Sequence, residues 1–286
     1  MFESDQRHAE IVCKQLDLAE NVLGEVGKKR HVKSVATPGV KERPTGPATP
    51  LTASQTSFYR SLVMRINYLA QDRSDLQFSG KELARSMSSP TVHDWQKLKR
   101  VGRYLVGVPR LELFYRFQKW IDTLNCYVDS DYAGCLKTRK STNGGCMMRG
   151  GHCIKSWSTN QSVIAISSGE PEFYAVAKGA SELLGMLSIG IDLNCSLTGH
   201  LHSDSSAAIG MSHRRGLGKV KHLHTQYLWV QERVRSGDFL LHKERTDCNR
   251  ADLMTKYLTR PAMDNFTAMI GYRVPAQDNA LALRSA

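Results

Sequence analysis

No two of the seven cysteines (Cys13, Cys126, Cys135, Cys146, Cys153, Cys195 and Cys248) are spaced as CxxC. Structural zinc sites draw their ligands from such close pairs, so none is expected, and reduced thiols in a soluble, intracellular protein are. No apolar run reaches membrane-spanning length, and Met1 opens no basic, apolar, small-residue leader. There is no GxSxG, so Ser167-Ser168 reads as a helix cap rather than a hydrolase nucleophile. Acid is scarce as well: 27 Asp and Glu stand against 39 Lys and Arg, a net charge of +12. That balance suits a polyanionic partner, nucleic acid above all, because neutralised phosphates release counterions. A basic surface with no partner is the plainer alternative. Hydrophobic residues at 41% are enough for a packed core, which excludes global disorder.

Residues 7–26 carry apolar positions at helical spacing and predict a short helix. From Val35 to Ser54 four prolines (Pro38, Pro44, Pro47, Pro50) predict an extended linker, since proline lacks a donor and disfavours helix before it. Residues 1–53 are thus a helix and a Pro-rich linker. Residues 54–110 are helical in pattern, with Phe58, Leu62, Ile66 and Leu69 in one stripe and Trp95, Leu98, Val101, Leu105 and Val106 in another. The charged face of the second (Lys97, Lys99, Arg100, Arg103) is either solvated or a strip for a nucleic-acid backbone. From Leu111 the period changes to that of strands: LELFYRF, then NCYVDSD, then a hairpin around Gly150-Gly151. A long helix over 170–192 follows, with Pro171 in its first turn. After it come a strand (200–204), a short helix (205–211), a basic loop, a helix (223–235), a strand (239–244) and a short helix from Asp252. With three strands counted before the long helix, from NCYVDSD on, the order βββαβααβα is that of an α/β domain over 111–260. Residues 261–286 read as a tail, loose after Pro275.

Four acids stand at element ends of that domain. Asp129 ends a strand, Glu172 lies in the first turn of the long helix, Asp204 ends the next strand, and Asp252 opens the last helix. Attack of water on a phosphodiester puts negative charge on the entering and leaving oxygens. Two Mg2+ ions stabilise both, and hard carboxylate oxygens hold them. Asp252 or Glu172 alone would equally serve as a helix cap; the four together point to chemistry. Alternation does not choose between Asp129 and Asp131, two residues apart on one strand face. Glu170 and Glu172 lie about 200° apart around a helix, so one of them at most faces the metals.

The words YVDSDYAG, TRKSTNGG, IKSWSTNQSVIAISSGEPEFYA, HSDSSAAI, VKHLHTQYLWVQE and NRADLMTK occur in this order. Together they resemble the ribonuclease H domain of copia-type (pseudovirus) retrotransposon Pol polyproteins. YRSLVMRINYLAQDRSDL and SSPTVHDWQKLKRVGRYLVG resemble the thumb and connection of the same family's reverse transcriptase. The resemblance implies a ribonuclease H-like mixed sheet behind a small helical thumb/connection-like segment. It implies an endonuclease that cuts the RNA strand of RNA–DNA hybrids with two Mg2+ ions, for which Mn2+ can substitute, leaving a 3′-hydroxyl and a 5′-phosphate. Asp129, Glu172, Asp204 and Asp252 match the family's metal-binding acids. The implied partners are the hybrid and the polymerase palm and fingers of a longer polyprotein; the implied compartment is the cytoplasm, in a virus-like particle, or the nucleus. YVDS at 127–130 differs from the polymerase motif YVDD at Ser130, so polymerase activity is not expected. The turn 245–248 lacks the histidine that many ribonucleases H carry near the last acid.

The loop 213–224 concentrates Arg214, Arg215, Lys219 and Lys221; with Arg139 and Lys140 beside the first strand's exit these are the candidate phosphate contacts. His222 and His224 have no second ligand pair to make a metal site. SWSTNQS (156–162) offers groups able to bond a 2′-hydroxyl, or is a polar turn. Trp157 and Trp229 read as core. Two rivals stand beside the nuclease: a catalytically inactive nucleic-acid-binding remnant of a decayed retroelement, against which the four intact acids speak, and a resolvase or integrase-like strand transferase, which would lack the thumb-like region.

Overall fold

The computed structural model describes residues 1–16, 33–41, 46–135, 137–218 and 225–275. It divides into two compact units, Met1–Tyr115 with Tyr257–Ala286, and Arg116–Lys256. In chain order the first unit begins with β1 (Phe2–Glu3), α1 (Gln6–Gln15), α2 (Ala53–Asp72), α3 (Ser74–Ala84), α4 (Val92–Gly107) and β2 (Glu112–Leu113). The second unit holds β3 (Thr123–Ser130), β4 (Thr142–Arg149), β5 (His152–Asn160), α5 (Gly169–Asp192), β6 (Thr198–Ser203), α6 (Ser206–His213), α7 (Trp229–Ser236) and β7 (Leu240–Lys243). It closes with a 3-10 turn over Arg250–Met254. The chain then returns to the first unit with α8 (Arg260–Met269) and β8 (Tyr272–Arg273).

Capping sets the helix starts of the first unit. Thr52 opens α2 with a reciprocal box: its hydroxyl accepts from Gln55 N, and the Gln55 side chain accepts from Thr52 N. Thr91 and Asp94 do the same for α4. The buried stripe of α2 runs through Tyr59, Leu62, Val63, Ile66 and Leu69. It is turned slightly from the expected one, so that Tyr59 is buried and Phe58 exposed. The Tyr59 hydroxyl donates to Leu83 O, a polar end that the inner position satisfies. No helix is long and apolar enough to cross a membrane among the described residues.

LELFYRF is a strand at Glu112–Leu113 alone. Those two residues pair with β1 and β8 in a three-stranded sheet of the first unit, ordered β1-β2-β8. The alternation that suggested a longer strand has no buried face after Leu113: Tyr115 and Phe117 are exposed. The described part of the N-terminal helix is α1, and the predicted continuation to residue 26 lies outside the described residues, as does the chain after 275.

The second unit is a five-stranded mixed sheet ordered β5-β4-β3-β6-β7. β3, β4 and β5 pair antiparallel; β6 and β7 join β3 in parallel. The element order is that expected of a ribonuclease H-like domain, apart from its last element. A helix was expected from Asp252, and a 3-10 turn stands there instead. Asn249 donates to Val128 O, and Thr255 donates to Asp129, so both ends of the turn are pinned to β3 and a longer helix has no room. α5 lies on one face of the sheet and buries Phe173, Val176, Ala177, Ala180 and Leu183 over Leu124, Cys126, Val128 and Leu201. Gly179 allows that approach: a Cβ there would sit 2.3 Å from Val128 Cγ1. The close packing holds the N-terminus of α5 against the end of β3, where the acids are.

Candidate active site

β3 carries Asp129 to the edge of the core, 1% exposed and paired across the ladder with Gly144. Glu172 projects from the first turn of α5, and Asp204 follows the last residue of β6. One carboxylate oxygen from each of the three lies within 4.8 Å of the others. These residues are 32 or more apart in sequence and meet because β6 runs parallel beside β3 while α5 crosses both.

The structure separates the paired candidates. β3 ends at Ser130, so Asp131 is already in the following turn, where its carboxylate accepts from Thr142 N and Thr142 Oγ1. Glu170 is fully buried and caps its own helix start, accepting from Ile166 N at 3.1 Å, Ser167 N at 3.0 Å and Ser167 Oγ at 2.7 Å. Asp129 and Glu172 are therefore the members that face Asp204.

Asp252 stands to the side of this trio. Its Oδ1 accepts from Lys256 Nζ at 2.7 Å, and the same ammonium lies 3.4 Å from Asp129 Oδ2. Thr255 Oγ1 donates to Asp129 Oδ2. Lys256 and Thr255 went unnoticed in the sequence, although both belong to NRADLMTK and Lys256 sits four residues after Asp252, the spacing of a helical ion pair. Gly144 makes room for them: a Cβ there would meet Thr255 Cγ2 at 2.4 Å and Met254 Cβ at 3.0 Å.

The electrostatics are those of acids crowded without enough cation. Burial pushes the Asp129 carboxyl up to about 7, Lys256 opposing and Asp252 adding to the shift. Glu172 rises to about 9, from burial and from the charges of Asp129 and Asp204. Burial also raises Asp252. Lys256 is held above its ordinary value by Asp129 and Asp252 against the opposing effect of burial. Glu172 Oε2 is buried with no hydrogen-bond partner. A convergent set of hard oxygen donors with one orphaned buried oxygen fits a divalent cation such as Mg2+ or Mn2+, which would relieve both the repulsion and the unsatisfied atom. Asp129, Glu172 and Asp204 are the residues able to hold it.

Two further polar segments support the site from behind. Gln161 donates from Nε2 to Asn143 Oδ1 at 2.6 Å and Pro171 O at 2.8 Å, tying β4 to the first turn of α5 next to Glu172. Ser158 Oγ donates to Met254 O at 2.6 Å. Ser158 and Gln161 of SWSTNQS thus brace the protein internally, Thr159 and Asn160 are exposed, and Trp157 is buried in the core.

Of the basic candidates, Arg139 and Arg215 are exposed, Arg139 in a turn with φ of 57°, while Lys140 is half-buried. Arg214 folds back on its own loop and donates to Leu217 O at 2.7 Å. Lys219, Lys221, His222 and His224 lie outside the described residues.

On the solvent side of the sheet, sequence reading missed a row of stacked rings. Tyr127 stacks on His202, and His202 and His200 each stack on His242, with His200 Nδ1 and His242 Nε2 2.9 Å apart. Positions 200, 202 and 242 share a sheet face by simple alternation, which could have revealed the row once β6 and β7 were known to pair.

No protein-family model matches the chain. It is 33% identical over 216 residues to the retrovirus-related Pol polyprotein from transposon RE2 of Arabidopsis thaliana, covering 74% of this chain. It is 33% identical over 221 residues to that from transposon RE1 of the same plant, covering 76%. The chain spans only 15% of the length of each of these curated relatives. Among solved structures it is similar to LC11-RNase H1, isolated from compost, at 14% identity and a TM-score of 0.34 over 51% of this chain and 98% of that one.

Proposed function

This chain belongs to the copia-type, retrovirus-related Pol polyproteins, and we propose that its second unit is a divalent-cation-dependent endonuclease for the RNA strand of RNA–DNA hybrids. The observation that carries the reading is the convergence of Asp129, Glu172 and Asp204 within 4.8 Å from three separate elements. Structural carboxylates seldom gather in this way, because each added charge raises the cost of ionising the others. Two such groups, Asp129 and Glu172, are displaced far from their ordinary range, as groups at working sites are.

Hydrolysis of the phosphodiester forms a bond from a water oxygen to phosphorus and breaks the bond to O3′. The departing oxygen takes a proton to become a 3′-hydroxyl, and a 5′-phosphate remains. A divalent cation, held by Asp129, Glu172 and Asp204, would supply positive charge to the phosphate oxygens and acidify water. The buried setting of Asp129 restrains that carboxylate: Thr255 donates to its Oδ2, and Lys256 Nζ lies 3.4 Å from Oδ2 and 3.5 Å from Oδ1. Gln161 and Asn143 fix the start of α5 and so the reach of Glu172. Arg139 and Arg215, both exposed, are suited to the hybrid's phosphates, with Lys140, Lys219 and Lys221 as further candidates.

The test is cleavage of a hybrid labelled on its RNA strand, with Mg2+ or with chelator, by the wild-type chain and by Asp204→Asn. RNA-strand cutting that needs the cation and disappears in the variant is the expected result. Binding of the hybrid in low salt with no cutting under any condition would sink the nuclease and leave a binding remnant.

A further inference from the structure

The face of the sheet turned away from α5 carries His200 and His202 of β6 and His242 of β7. The register puts His202 opposite His242 and His200 diagonal to it. His200 Nδ1 and His242 Nε2 stand 2.9 Å apart, so one ring donates to the other across the two strands. The rings are nearly parallel, 12° apart, with centroids at 5.0 Å. Each of these nitrogens offers a lone pair when its ring carries its proton on the other nitrogen, and neutral imidazole in that form is a ligand for zinc and its late first-row neighbours. We propose that His200 Nδ1 and His242 Nε2 form a binding site for one such ion, Zn2+, Ni2+ or Cu2+, separate from the acid trio and fastening β7 to β6.

The pair stands close to the spacing that a metal needs. Two nitrogens each about 2.0–2.1 Å from a tetrahedral ion lie about 3.3 Å from one another, so the rings have to part by only roughly 0.4 Å. The rest of the row holds them in place. His202 stacks on His242 at 5.1 Å and on Tyr127 at 4.6 Å, and its Nε2 lies 3.0 Å from Asn125 Oδ1. The Arg250 guanidinium in turn lies over the Tyr127 ring at 4.3 Å. Burial and the neighbouring His242 lower the His200 value, which keeps that ring in the neutral form that binds metal. Among the described residues no third His, Cys, Asp or Glu offers an atom within 4.8 Å of both nitrogens, so water would complete the shell. Nitrogen ligands of this kind select against Mg2+, which takes oxygen. β7 is a four-residue edge strand whose side chains are exposed or half-buried, so little packing holds it and a clip across the two strands would steady it.

Calorimetric titration of the full chain with Ni2+ tests this, at a pH of about 8, where histidine is neutral, and with Mg2+ in excess to cover the acids. The variants are His200→Gln, His242→Gln and Asp204→Asn. The wild type and Asp204→Asn should bind one Ni2+ at the pair, and each histidine variant should lose it. Hydrogen exchange of the Leu240–Lys243 amides should slow when Ni2+ is added to the wild type and stay unchanged in the histidine variants. Binding kept in either histidine variant, or abolished by Asp204→Asn, would place the ion elsewhere and overturn the proposal, as would no binding in the wild type. Should the histidine variants not fold, the wild type decides alone by nuclear magnetic resonance with substoichiometric Cu2+. Paramagnetic broadening should strike the His200 and His242 ring signals first, and broadening that spares them overturns the site.

Discussion

Asp129 and Glu172 carry the pH behaviour expected of this protein. In the folded state their carboxyls are raised from ordinary values of 3.8 and 4.5 to about 7 and about 9. Groups raised in this direction contribute stability that is full below the unfolded value and is lost as pH rises through the folded one. His202 has the opposite sign: burial and its neighbours His242 and His200 bring it from 6.5 to about 4, so its contribution is full above 6.5 and falls away below. The two windows overlap between pH 4 and 6.5 but not above. In chelator the melting temperature should therefore fall from pH 6.5 to 9, and Mg2+ or Mn2+ should lessen the fall; a melting series at both conditions measures it. Divalent binding must also displace protons from these two acids. Calorimetry at pH 7 in buffers of different ionisation enthalpy should show proton release, and affinity should rise toward pH 9. The choice between Asp129 and Asp131 turned on one residue, the place where β3 ends, which alternation in a run of small and polar residues does not mark.

At the scale of elements, two glycines decide what can touch. Gly179→Ala would press a methyl into Val128, and overpacking of this sort costs about 1–3 kcal/mol, to be read from chemical denaturation. Gly144→Ala would push the turn bearing Thr255 and Asp252 away from β4. Its expected signature is weaker divalent binding with little change in far-ultraviolet dichroism, since the ladder between β3 and β4 survives. Periodicity revealed the long helix, the hairpin and the strands β6 and β7; α5 and β6 have buried faces that repeat at their own spacing, while β7 has none and is marked by its apolar and β-prone residues alone. It misjudged LELFYRF, where alternation continues into exposed residues, and the final helix, whose length is limited by side-chain bonds from Asn249 and Thr255 to β3. Neither constraint is local in sequence.

At the scale of the whole molecule, the two units rest on different cores. The first contains a buried ion pair: Arg73 Nη2 lies 2.7 Å from Asp75 Oδ2, the side chains 1% and 0% exposed, and Tyr104 donates to the same carboxylate. Removing one partner of such a pair strands the other, at a cost of about 3–5 kcal/mol. Arg73→Met should accordingly lower the unfolding midpoint of the first unit, measured by denaturation followed at its own tryptophan, Trp95. The charge of +12 makes a further expectation: hybrid affinity should decline steeply with salt, linear in its logarithm, as measured by fluorescence anisotropy. Composition and the order of motifs carry the α/β architecture, the family resemblance, the expectation of a polyanionic partner and the four candidate acids, because charge excess, residue period and short words are properties of the linear chain. Which acids share a point, that Glu170 is a cap and Asp131 a turn ligand, and that Lys256 stands among the carboxylates are set by the fold. The roles of Glu170 and Asp131 depend on where an element starts or ends, and the gathering of the acids on contacts between residues far apart in the chain, such as Asp129 with Lys256, which no local pattern encodes.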